Sequence, residues 1–91
     1  MFDWDEHNLR KIRAHSLQRN EVEQALSSSP ILIYEQEVGG ESRFVYYGET
    51  ISGRMLAIIL TEREEQIRVV TAYELDSGQK KDYLERRSQG E

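Results

Sequence analysis

The sequence has no cysteine, so no disulfide can staple it and no thiolate can hold a metal. Small secreted domains commonly rely on such staples. Their absence favours a reducing, cytoplasmic compartment or carries no weight either way. Long hydrophobic runs are also missing. The longest, Met55-Leu56-Ala57-Ile58-Ile59-Leu60, is far too short to span a bilayer and reads as a buried strand. The opening Met1-Phe2-Asp3-Trp4-Asp5-Glu6 has neither a basic nor an apolar stretch, so no signal peptide and no membrane association are expected. Positive charge is in deficit, with a formal net charge of −5. That total alone argues against non-specific nucleic-acid binding, although the basic residues recur along the proposed strands and in the last helix. Proline occurs once.

What is present fits one small domain. Ninety-one residues leave little room for a second. Hydrophobic residues at 37% against charged residues at 32% suit a globular chain rather than a disordered one. Phe2-Asp3-Trp4 reads as a short edge strand or an extended lead-in. Asp5 is a plausible cap for a helix from about Glu6 to His15, with Leu9 and Ile12 on its apolar stripe. A second helix is expected from about Asn20, with Asn20 and Glu23 at capping-box spacing and Val22, Ala25 and Leu26 inward. Pro30 ends it.

Four strands follow: Ile31 to Gln36, Arg43 to Gly48, Arg54 to Thr61, and Gln66 to Leu75. Gly39-Gly40, Ser52-Gly53 and Glu64-Glu65 supply the turns. Connections this short favour antiparallel neighbours, since parallel strands would need a crossover. The third strand is apolar on both faces and should be central. In the fourth, Ile67, Val69 and Thr71 are expected on one face and Arg68, Val70 and Ala72 on the other. A last, basic helix is expected from about Gly78 to Arg87, with Ser77 as its candidate cap and the end after about residue 87 frayed. The class is therefore α+β: two N-terminal helices, a four-stranded antiparallel sheet and a C-terminal helix. The helices are expected on one sheet face, leaving the other partly open.

Several stretches, taken together in order and spacing, carry a resemblance. They are Trp4-Asp5 before the first helix, His15 at its end, Arg43-Phe44, Gly48 with Gly53-Arg54, Thr61-Glu62-Arg63, and Ile67-Arg68-Val69-Val70-Thr71-Ala72. The chain resembles the BrnT toxin family of type II toxin–antitoxin modules over roughly Phe2 to Tyr83. The resemblance implies a single RelE-like domain over residues 1–91 and a metal-independent ribonuclease that blocks translation. It also implies a small DNA-binding antitoxin as cognate partner. The sequence departs from the pattern in three places. The usual Lys-His-Gly is Ala14-His15-Ser16, Ser42 stands where a Glu commonly precedes the strand arginine, and Tyr73 stands where an Arg commonly closes the fourth strand.

Cleaving RNA without a metal needs a base for the 2′-hydroxyl, an acid for the leaving 5′-oxygen, and cations for the phosphorane. Arginine suits the last task, because its planar fork grips phosphate oxygens. Arg43, Arg54, Arg63 and Arg68 are the candidate cations. Equally, each could pair with Glu35, Glu41, Glu49, Glu62 or Glu74 on a solvated face. His15 is the better acid–base candidate, since it titrates near neutrality, unless it merely closes its helix. Glu41 could act as a base but more naturally flanks its hairpin. Tyr73 could bond a phosphate oxygen in place of the family's arginine. The candidate catalytic set is His15, Arg43, Arg54, Arg63 and Tyr73, with Arg68, Lys80 and Lys81 binding RNA. No metal-site spacing and no phosphate-cradling glycine loop occur, so no cofactor is expected. The expected function is a toxin that cleaves messenger RNA. The alternative is a toxin-derived module that binds protein or RNA without cleaving it. A homodimer through an edge strand or the last helix is a further expectation.

Overall fold

A computed structural model describes Met1–Gly90. The element order is α1 (Glu6–Ala14), α2 (Arg19–Ser27), β1 (Ile31–Val38), β2 (Glu41–Glu49), β3 (Met55–Arg63), β4 (Gln66–Glu74) and α3 (Ser77–Gln89). The strands form one antiparallel sheet in the order β1-β2-β3-β4. Short turns force this meander, and β3, the most apolar strand, lies inside it.

Asp5 caps α1, its carboxylate accepting from the Asn8 amide at 2.8 Å. The helix ends in a Schellman motif. The Leu17 amide donates to the Ile12 carbonyl at 3.0 Å, and the Ser16 amide to the Arg13 carbonyl at 2.9 Å. Ile12 and Leu17 both enter the core, giving the apolar contact that accompanies this motif. Ser16 takes φ 61° there, a left-handed conformation that suits glycine.

The second helix corrects the expected cap. It begins at Arg19, and its cap is Gln18, whose amide donates to Glu21 Oε1 at 2.9 Å. Asn20 lies inside the first turn. The last helix is capped by Asp76 rather than Ser77, with reciprocal bonds to Gln79, and runs to Gln89, past the expected Arg87.

Helix placement is also corrected, since the helices do not share one face. Helices α1 and α2 cover Leu56, Ile58 and Leu60 of β3 together with Val69 and Ala72 of β4. On the opposite face, α3 lays Tyr83 against Tyr47, Ala57 and Leu75. The Tyr47 and Tyr83 rings meet edge to face, with centroids 6.1 Å apart. Val69 and Ala72, expected on opposite faces, point the same way because of a bulge. Ile59 pairs with Thr71 and Leu60 with Val69, which leaves Val70 unpaired and shifts the alternation by one. The N-terminal segment makes a single parallel bridge, Phe2 to Ile67, along the outer side of β4.

One register feature positions the site. The β2–β3 ladder runs from Glu49–Met55 to Phe44–Leu60 and stops there. Beyond it, Glu41–Arg43 pair only with β1, and Thr61–Arg63 only with β4. The β1–β2 and β3–β4 hairpins therefore part at one end of the sheet. Their tips, Gly39-Gly40 and Glu64-Glu65, are two-residue loops with every φ positive, as in type I′ turns.

Candidate active site

The gap between the parted hairpins is a hollow of about 510 Å³ lined by Glu41, Ser42, Phe44, Thr61, Glu62 and Arg63. Thr61 bridges it, its hydroxyl donating to the Ser42 carbonyl at 2.9 Å. At its mouth, Arg63 Nη2 meets Glu41 Oε2 at 3.0 Å, and Arg43 Nε meets Glu41 Oε1 at 3.4 Å. Two guanidiniums from neighbouring strands thus share one carboxylate, and a second carboxylate, Glu62, lines the same hollow. The Arg63 guanidinium, and then that of Arg43, holds the Glu41 carboxyl below the usual carboxylate range. Arg63 is the more open of the pair, with its side chain 61% exposed against 32% for Arg43.

Arg63 also borders a second hollow, about 600 Å³, which it shares with Arg68, Asp3, Glu64 and Gln66. Arg68 is bonded by Asp3 through Nη1 at 3.2 Å and by Asp5 through Nη2. Asp5 is held below the ordinary aspartate value, first by its bond from the Asn8 amide and then by Arg68. Arg43, Arg63 and Arg68 therefore lie on adjoining strands around one end of the sheet.

Arg54 stands apart. It precedes β3 at the opposite end, where Nη1 meets Glu21 at 2.9 Å and the Ser16 carbonyl at 3.1 Å, and Nη2 meets Glu74 at 3.3 Å. These bonds, that from Glu21 foremost, raise its pKa and tie the α1–α2 turn to the sheet. His15, the C-cap of α1, lies in this region too, its ring 6.0 Å from that of Tyr73. On β4, Tyr73 is five residues from Arg68, a span of about 16 Å along an extended strand. His15, Tyr73 and Arg54 consequently do not share a pocket with Arg43, Arg63 and Arg68. Lys80 and Lys81 lie on α3, in a shallow groove with Leu84 and Glu85.

Sequence reasoning named Glu41 among the possible arginine partners and missed Asp3 and Asp5. The signal for Glu41 was available: a two-residue Gly39-Gly40 loop sets Val38 opposite Glu41 and leaves Glu41 and Arg43 on one face. Asp3 and Asp5 reach Arg68 across more than sixty residues of chain, which no local pattern signals. Among the described residues, no three His, Cys, Asp or Glu side chains come together as a metal site. No helix among them is long and apolar enough to cross a membrane.

A family model described as the ribonuclease toxin BrnT of type II toxin–antitoxin systems matches residues 4–78. No curated protein matches the chain.

Proposed function

The chain belongs to the BrnT family of type II toxin–antitoxin ribonuclease toxins, and from that premise we propose that it cleaves messenger RNA at the parted-hairpin cleft, without a metal, and so halts translation. The observation that carries this reading is the Glu41 carboxylate held between Arg43 and Arg63. A carboxylate so placed marks where a phosphodiester anion fits, and planar guanidiniums suit its oxygens. When RNA enters, the phosphate draws off the two arginines. Glu41 then loses its cationic partners and gains an anionic neighbour, and both changes raise its pKa and make it a better base. It accepts the 2′-hydroxyl proton as the 2′-oxygen attacks phosphorus. The bond to the 5′-oxygen breaks, that oxygen takes a proton from water at the open mouth, and a 2′,3′-cyclic phosphate remains. Arg43 and Arg63 hold the added phosphorane charge.

Membership of a type II family implies a cognate antitoxin. We infer that this antitoxin is a small DNA-binding protein that covers the arginine face, and that toxin and antitoxin act in the cytoplasm. Purified chain incubated with messenger RNA in chelator should yield fragments ending in cyclic phosphate. Arg63→Ala should slow this by about 10²–10³-fold. Expression of the chain alone should stop growth and translation. Intact RNA in the presence of folded protein would refute the nuclease reading.

One observation favours a second reading, a toxin-derived module that binds without cutting. Each of Arg43, Arg54, Arg63 and Arg68 already has a carboxylate partner. Tight RNA binding that Arg63→Ala weakens, with no cleavage products, is the outcome this reading requires.

A further inference from the structure

The second hollow contains an internal substitute for the substrate's charge. Arg68 presents two guanidinium nitrogens to two carboxylates that are held very differently. Asp5 is fixed in place: it bonds Arg68 and also caps α1 through the Asn8 amide at 2.8 Å. Asp3 is bound only from one side. Its backbone amide donates to the Ile67 carbonyl at 2.8 Å, whereas its carboxylate makes one bond, at 3.2 Å to Arg68 Nη1, with its side chain 43% exposed. Asp3 and Arg68 line the same hollow as Arg63. An anion replacing the Asp3 carboxylate would meet Arg68 and lie in the hollow that Arg63 also lines, while Asp5 keeps Arg68 aimed.

We propose that Asp3 masks an RNA phosphate subsite formed by Arg68 and Arg63, and that the substrate backbone displaces the Asp3 carboxylate on binding. The proposal rests on the cleft as the RNA site and extends it by one phosphate. Asp5 is a positioning residue for Arg68, whereas Asp3 is a competing anion. Glu64 lines the same hollow without an ion pair to Arg68, so it contributes to the field there and not to the mask.

The test is RNA affinity, measured with a 2′-O-methylated oligonucleotide that cannot be cleaved. Asp3→Asn should bind about five- to tenfold more tightly, with the salt dependence steeper by about 0.7 in log–log slope, since one more phosphate is engaged. Glu64→Gln makes the same charge change without unmasking Arg68. It should give a clearly smaller gain and no change of slope. In an Arg68→Ala background the benefit of Asp3→Asn should vanish. Equal gains from Asp3→Asn and Glu64→Gln, or a gain that survives Arg68→Ala, would overturn the proposal. The readout is separable from catalysis: normal cleavage with unchanged Asp3→Asn affinity defeats the mask alone. Absent cleavage with the predicted affinity pattern defeats the nuclease reading and leaves the subsite standing.

Discussion

At position 16 a side chain sits where the backbone favours none. The Schellman ending of α1 needs a left-handed residue, and Ser16 adopts φ 61° to supply it. Ser16→Gly should raise stability by about 0.5–1 kcal/mol in urea denaturation, because glycine removes the Cβ conflict. Gly48 presents the converse case. A Cβ there would lie 2.5 Å from the Ala25 carbonyl oxygen, so α2 rests directly on the β2 backbone. Gly48→Ala should cost about 1–3 kcal/mol, read as a lower urea midpoint at unchanged slope. Neither effect can be ranked from the sequence, because both depend on backbone angles and contacts between segments. The same limit applied to the site. Arg43, Arg63 and Arg68 were recognisable as candidates by residue type. The carboxylate each one faces depended on where two hairpin tips and the N-terminus meet.

At the scale of elements, periodicity located all three helices and all four strands, and capping chemistry located their ends less well. Gln18 does the work expected of Asn20, because Glu21 rather than Glu23 reaches back to the cap amide. Glu21 also bonds Arg54 at 2.9 Å, so Glu21→Ala removes a cap and an ion pair together. It should cost about 1–2 kcal/mol, whereas Asn20→Ala should cost almost nothing in the same denaturation assay. The fourth strand shows why alternation misleads. One unpaired residue, Val70, reverses the face assignment of everything after it, and nothing in the local composition announces a bulge. Helix α3 is held mainly by Tyr83, its single buried residue. Its amides should exchange with deuterium well before those of β3, which is packed on both faces. Protection in α3 equal to that in β3 would show a tighter attachment than the contacts describe.

For the molecule as a whole, the helices are divided between the two sheet faces and the four candidate arginines, Arg43, Arg54, Arg63 and Arg68, between the two sheet ends. Carboxylates knit the parts together, and this makes stability depend on acid in a definite sense. Asp5, Glu21 and Glu41 all have lowered pKa values. Asp5 and Glu21 owe this first to backbone amide bonds, and Glu41 owes it to Arg63. A depressed carboxylate contributes stability above its unfolded pKa, about 4, and loses it as pH falls through the folded value. The urea midpoint should therefore be flat from pH 7 to about 5 and decline steadily below about 4. A midpoint that held constant to pH 3 would mean these bonds contribute nothing to folding.

The sequence alone determined the element types, their order and the antiparallel meander. Those follow from side-chain periodicity and from loops too short for any crossover. It also offered candidates for the chemistry: His15, Tyr73, four arginines and the Lys80-Lys81 pair. Only the tertiary structure decided that α3 covers the face opposite α1 and α2, and that the sheet divides into two hairpins beyond Phe44 and Leu60. It alone brought Arg43, Arg63 and Arg68 to one end and sent Arg54 to the other. The physical reason is range. Periodicity and capping act within a few residues, whereas a bulge, a parted ladder and a carboxylate arriving from the N-terminus are settled only when distant segments pack.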